Sequence, residues 1–294
     1  MEYKGEEFVT QIFNNLCKET RKINPDGGNL FLGWHFGYYD QDVHTFRKSL
    51  HQMNKYVEDL LALDDTSRIV LDAGCGLGGM VTHLAKTHPE SQFYGIALGS
   101  EEVARAQSVQ SYFNLKNAAF SQQSYLKTNF PDEFFDVIYA LESVSCGIND
   151  AAFCAHMKKI LKPNGRLIIL DLFPRITRTS FVDIVREHIL HVNLQDHPQR
   201  TIHSFRACLA EAGFTLLSET DLKKQRHVRN ILATSLVLLC IELSTEIKGR
   251  KKKVMSLPFL VVRFAFQFFV NTLLLIALDF GYFSLTTVKN PNIE

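Results

Sequence analysis

The spacing of apolar positions changes once along the chain, and the change divides it. Over residues 1–64 apolar side chains recur at helical spacing, in Phe8, Ile12 and Leu16 and again in Leu50, Met53, Val57 and Leu60 or Leu61. A glycine- and aromatic-rich break, Gly27 to Tyr39, separates the two runs. From Arg68 onward short β-branched runs alternate with helical patterns. The strands this predicts are Arg68–Ala73, Gln92–Ala97, Ala118–Gln122, Phe134–Leu141 and Arg166–Leu172, and the alternation predicts a parallel sheet with helices on both faces. Pro163, Asn164 and Gly165 form the turn that feeds the fifth strand. Beyond it, residues 175–192 read as an amphipathic cap helix, Ser204–Gly213 as another helix, Phe214–Glu219 as a sixth strand and Tyr282–Val288 as the last. The organisation expected is an N-terminal helical segment (1–64), a sheet domain (65–221 and 280–294, with cap helices inserted near 175–200) and a hydrophobic helical lid (222–279).

The lid raises the question of a membrane span. Leu257–Phe280 is long and oily, and KGRKKK ahead of it looks like a basic flank. Arg263, Gln267 and Asn271, however, draw a polar line along that helix at four-residue spacing, and the strand after it has to return to the sheet. A lid packed on the domain, or lying on a membrane surface, fits this pattern better than a span.

Composition narrows the partners. The 294 residues, 46% hydrophobic, suffice for one sizeable core with an elaboration. Lys+Arg of 32 against Asp+Glu of 31 leaves no basic field to concentrate nucleic acid. Six scattered cysteines without a CxxC pair, and an opening MEYKGEEF that is no secretory signal, point to reduced thiols in the cytoplasm and to no metal site. His188, His191, His197 and His203 match no common zinc spacing. The 23 phenylalanines, clustered near Trp34–Tyr39 and between Phe259 and Phe283, read either as extra core or as an apolar substrate cavity.

The candidate chemistry centres on VLDAGCGLGG, Val70 to Gly79: a strand, an acid, then a glycine turn opening a helix, which brings backbone and helix N–H groups close to a nucleotide-like ligand. Asp72 just ahead of the turn suits a cationic ligand better than a pyrophosphate, which disfavours a dinucleotide oxidoreductase.

VLDAGCGLGG, FDVIYALESVS and LKPNGRLIILDLF, in that order, resemble the motifs of class I S-adenosylmethionine-dependent methyltransferases. WHFGYYD (Trp34 to Asp40) and the glutamate of ALES, Glu142, resemble the branch that holds sterol, tocopherol and prenyl diphosphate methyltransferases and cyclopropane fatty acid synthases. The resemblance implies an α/β, Rossmann-like seven-stranded sheet with Tyr282–Val288 as its final strand. It further implies that Asp72, Gly74, Gly76 and Gly78 hold the methionine part of S-adenosylmethionine, with Tyr38 near its carboxylate. Glu102 stands where relatives in this branch place a glutamine toward the ribose; its other reading is a solvated acid favoured by the helix dipole. Gln123, Ser124 and Tyr125 follow the third strand, where an acid commonly meets adenine, and Ser124 and Leu141 are assigned to the cofactor.

Which acceptor atom is methylated decides the remaining roles. Methylating an alkene leaves a carbocation, which calls for aromatic faces and a carboxylate. Glu142, with no other charge between Val137 and Ile148, is then a base or cation stabiliser, or else a buried structural carboxylate. Trp34, Phe36, Tyr38 and Tyr39 supply ring faces, or pack an N-terminal helix on the sheet. An oxygen or nitrogen acceptor would need a base, and His35 is placed for it. Cys146 stands where several relatives have histidine. The oily lid implies a hydrophobic, isoprenoid-like substrate. A cofactor-binding module without catalysis is the alternative of a different class.

Overall fold

Strand β1 (Ile69–Ala73) is buried along nearly its whole length, as a strand covered on both faces should be. In the computed structural model, which describes residues 10, 35, 37–64, 66–146, 149–174, 201–222 and 280–290, it lies in a seven-stranded sheet. The other strands are β2 (Gln92–Ala97), β3 (Ala118–Gln122), β4 (Phe135–Leu141), β5 (Leu161–Pro174), β6 (Phe214–Asp221) and β7 (Phe280–Lys289). Their order is β3-β2-β1-β4-β5-β7-β6. Neighbours from β3 to β5 are parallel, and β7 is inserted antiparallel between β5 and β6. This is the seven-stranded arrangement the resemblance implied, with the last strand recruited from beyond residue 279.

The strand order reverses between β1 and β4, so the loops leaving their carboxyl ends diverge and open a crevice there. Among the described residues five α-helices flank the sheet: α1 (Phe46–Leu61), α2 (Gly79–Thr87), α3 (Ser100–Tyr112), α4 (Asp150–Ile160) and α5 (Ile202–Glu211). One difference from expectation concerns β5, which begins five residues early. Leu161 already pairs with Phe135, and the Pro163–Gly165 turn is carried as an irregularity inside the strand before Arg166 pairs with Val137.

The Thr45 side chain accepts the Lys48 N–H and starts α1. Met53, Val57 and Leu61 then fall four residues apart and are fully buried, so Leu61 rather than Leu60 completes the stripe. Glu58 on the same helix meets Nε2 of His83 at 2.9 Å and of His88 at 2.8 Å, and Arg166 on β5 donates to the Leu61 carbonyl at the helix end. These contacts fasten α1 to α2 and to the sheet. Ahead of α1, the Tyr38 N–H donates to the Ser49 carbonyl at 2.9 Å, and a Cβ on Gly37 would sit 1.8 Å from Ser49 Oγ. Only glycine lets residues 37–39 fold back this closely onto the helix.

Alternation along β1 sends Leu71 and Ala73 to the face covered by α4 and α5, with Phe153, Met157 and Phe205. Val70 points to the opposite face, with Met53, Val57, Met80, Phe93, Tyr139 and Tyr282. Asp72 shares the Val70 face by period, an acid in an otherwise apolar layer.

Phe8, Ile12, Leu16, Trp34, Phe36, the cap helix, the lid beyond Leu222 and three of the four clustered histidines fall outside the described residues; His203 is exposed on α5. No helix among the described residues is long and apolar enough to cross a membrane.

Candidate active site

The carboxyl end of β1 carries the densest constellation. Asp72, 3% exposed, stands directly opposite Tyr139 of β4, whose hydroxyl donates to Asp72 Oδ2 at 2.8 Å. Its second oxygen, Oδ1, is buried without a hydrogen-bond partner. Burial raises the Asp72 carboxyl to about 7, with the Tyr139 hydrogen bond pulling the other way. Burial likewise lifts the Tyr139 phenol well above its ordinary range, so it remains an O–H donor. A buried acceptor left unpaired costs free energy, and an ammonium is the group that satisfies both the lone pairs and the charge.

The turn that follows divides its glycines between packing and access. The N–H groups of Gly74 and Cys75 donate to the Ile96 carbonyl at 3.1 and 2.9 Å, tying the turn to the end of β2. A Cβ on Gly74 would lie 2.2 Å from Ser143 Cβ, and one on Gly78 2.8 Å from the Phe120 ring and 2.9 Å from Ala106. Those two positions are small because protein crowds them. Gly76 differs: its φ is +49°, and the nearest atom to a Cβ there is Glu102 Oε1 at 3.9 Å. Open space in front of a left-handed residue is what a closely approaching ligand requires.

Glu102, in the first turn of α3, is 5% exposed, which removes the reading of a solvated acid. Its Oε2 accepts the Gly99 N–H at 3.1 Å, while burial raises the carboxyl to about 7. Between the two acids lies Cys75; burial first, and then the charges of Asp72 and Glu102, push its thiol well above the ordinary range, so it is no nucleophile.

Glu142 directly follows β4, the strand on the other side of the switch point from Asp72. Its φ is +53°, uncommon for a side chain of this kind. Its N–H donates to the Leu170 carbonyl at 2.8 Å, and the Tyr282 hydroxyl of β7 donates to Oε1 at 2.8 Å. The half-buried carboxylate is thereby aimed by two neighbouring strands, at the expense of local backbone strain. Beside it, Ser143 Oγ donates to the Ala73 carbonyl at 2.6 Å, and Asp171 accepts the Ser145 N–H at 2.8 Å.

The remaining sequence candidates lie on the segment ahead of α1 and past β3 and β4. Tyr38, half-buried, stacks on Tyr56 of α1 with ring centres 4.9 Å apart and, with Leu141, packs against the apolar cluster holding Cys75, Tyr139 and Tyr282. Tyr39 is 7% exposed, more core than open ring face, and His35 is half-buried. Ser124 lies past β3, where its Oγ accepts the Leu126 N–H at 3.0 Å. Tyr139, Tyr282, Ser143 and Tyr56 escaped the sequence reading. Tyr139 could have been found, since it faces Asp72 once β1 and β4 are paired in parallel; Tyr282 could not, because nothing in its neighbourhood points 140 residues back. Among the described residues, no group of three histidine, cysteine or acidic side chains is arranged to hold a metal ion.

Residues 64–232 match the family described as methyltransferase domain. The chain belongs to that family. This methyltransferase is 26% identical over 196 residues to the O-methyltransferase rstn1 of Aspergillus nomiae, covering 64% of this chain and 83% of the relative. Over a shorter stretch of 102 residues it is 31% identical to a 2-methyl-6-phytyl-1,4-hydroquinone methyltransferase of Synechocystis, 35% of this chain and 31% of that one. In fold it resembles the geranyl diphosphate C-methyltransferase of Streptomyces coelicolor, solved with Mg2+, geranyl diphosphate and S-adenosyl-L-homocysteine, with a TM-score of 0.70, 13% identity and 98% of each chain covered. The methyltransferase is accordingly an enzyme, with S-adenosylmethionine as its methyl donor, rather than a binding module. The residues present fit that donor: Asp72 Oδ1 awaits a cation, and the space before Gly76 is bordered by Glu102.

Proposed function

We propose that this methyltransferase acts on a carbon of a lipophilic, isoprenoid-like acceptor, with Glu142 taking a proton from the methylated acceptor or stabilising its positive charge. The observation that carries this reading is the setting of Glu142: a crevice-edge carboxylate on left-handed backbone, with one oxygen fixed by Tyr282. The names of the phytyl-hydroquinone and geranyl diphosphate methyltransferases support the substrate class.

When bound, the donor supplies an electrophilic methyl on a sulfonium. Asp72 would hold its ammonium, Gly76 would admit it and Glu102 would accept from its ribose hydroxyls. The aromatic ring of Tyr38, with Trp34 and Phe36 ahead of it, would exclude water and face the acceptor, while Tyr39 packs in the core beneath. As the acceptor carbon forms its new bond, positive charge builds on the neighbouring carbon. Glu142 takes a proton from that cation, restoring the double bond, so that CH3 replaces H.

A second reading, methylation of an oxygen with His35 as base, draws on the O-methyltransferase relative. Glu142→Gln separates the two. For a carbon acceptor, turnover should fall by about 100-fold or more with cofactor affinity unchanged; an enzyme relying on His35 would keep most of its turnover.

A further inference from the structure

The loop between β3 and β4 is folded on itself by short-range hydrogen bonds and held to α4 at several points, its far end by the Glu133 and Phe134 N–H groups, which donate to the Lys159 and Ile160 carbonyls at 3.0 and 2.8 Å. Gln123 Oε1 accepts the Asn129 N–H at 2.7 Å, and the Ser124 carbonyl accepts the Lys127 N–H at 3.1 Å. The Tyr125 hydroxyl donates to the carbonyl of Ser143, beside Glu142, at 3.3 Å, and its ring meets Phe153 of α4 edge-on at 5.2 Å. The middle of the loop is fastened by His156, on α4, whose Nε2 lies 2.9 Å from the backbone N and 2.9 Å from Oγ1 of Thr128. A backbone N–H can only donate, so Nε2 must present its lone pair, which puts the imidazole in the neutral form with its proton on Nδ1.

We infer that His156 is a positioning residue for the cofactor: in its neutral Nδ1–H form it holds the loop after β3 in the shape that receives the adenine end of S-adenosylmethionine, and protonation at Nε2 releases that loop. The inference rests on reading Gln123–Tyr125 as the adenine side. An added proton would set two donors, His156 Nε2 and the Thr128 N–H, against each other and leave the latter unpaired in a half-buried position. Burial first, and then Lys159 on the same helix, hold His156 below its ordinary value, while Asp132 from the segment before β4 opposes them. The loop is therefore fastened at neutral pH and loosens in mild acid.

The test uses the full chain, S-adenosylhomocysteine as probe, and two variants. His156→Gln keeps an acceptor at similar reach and stays neutral at every pH; His156→Leu removes the acceptor. Calorimetry at pH 7.5 should find His156→Leu about five-fold weaker than wild type, with His156→Gln close to wild type. Between pH 7.5 and 5.5 wild type should lose about five-fold more affinity than His156→Gln, the titrations of Asp72 and Glu102 being common to both. Long-range 1H–15N spectra should place the His156 proton on Nδ1 at pH 7.5. A proton on Nε2, or equal acid losses in wild type and His156→Gln, overturns the inference. Shifts of the Ser124 and Tyr125 amides on adding the probe tell which part failed. If they move while the affinities stay equal, the adenine reading stands and the role of His156 falls; if they do not move, the adenine reading falls and takes the inference with it.

Discussion

Replacing Asp72 by Asn should make the cofactor-free protein more stable and the cofactor site nearly useless. The isolated carboxyl titrates at 3.8, and burial in β1 raises it to about 7. A carboxyl raised on folding binds its proton more tightly in the folded chain, so stability is present in acid and is lost as pH climbs from about 4 to about 7. At ~1.4 kcal/mol per tenfold, the cost of keeping Asp72 is about 2 kcal/mol at pH 5.5 and about 4 kcal/mol at pH 8. Asn keeps the Tyr139 hydrogen bond but carries its own cost of an unpaired buried amide, roughly 1–3 kcal/mol, which does not change with pH. Urea unfolding of both proteins without cofactor should therefore show the stability difference between Asp72→Asn and wild type shifting toward the variant by about 2 kcal/mol between pH 5.5 and 8. Other titrating groups cancel in the comparison. Calorimetry with S-adenosylhomocysteine should show the variant binding about 10- to 100-fold more weakly, and wild-type affinity rising through pH 7 as the carboxylate forms. A stability difference that stays constant with pH would refute the argument, because Asp72 would then be ionised alike in the folded and unfolded chain.

Tyr282→Phe should lower turnover about ten-fold, since Glu142 loses the donor that fixes its Oε1; unchanged turnover would separate Tyr282 from the reaction. Gly78→Ala should destabilise the fold by about 2–4 kcal/mol in urea unfolding, from the contact with Phe120 and the positive φ together. Gly76→Ala should cost only about 1 kcal/mol of stability yet weaken cofactor binding at least about ten-fold, its Cβ standing in open space; equal effects of the two variants on stability and binding would contradict the division of the turn.

Strand positions were legible because each strand is a short apolar run bounded by turn residues, and even β7 announced itself by its run of Tyr, Phe, Leu, Thr and Val. The glycine turn was legible as a turn but not in its division of labour. Whether a glycine is small for a ligand or for a neighbour depends on Ser143, Phe120 and Ala106, which only the folded sheet brings up to it. Glu102 had two readings from its place at a helix start, a ribose contact or a solvated acid, and its burial, which only the folded chain shows, removes the second. The partner Tyr282 was invisible in the sequence, and Tyr139 comes into view only once β1 and β4 are paired in parallel. A tyrosine in a strand reads as core, and its hydroxyl gains meaning only when register sets it opposite an acid.

The central claim is carbon methylation of a lipophilic acceptor through Glu142. Incubating the enzyme with S-adenosylmethionine labelled with 13C in its methyl group and a lipid extract, then taking carbon NMR spectra of the product, reads the acceptor atom directly. The account predicts a labelled methyl bonded to carbon in an isoprenoid-like product, absent with Glu142→Gln. Label appearing on oxygen or nitrogen, or persisting undiminished in the variant, would contradict it.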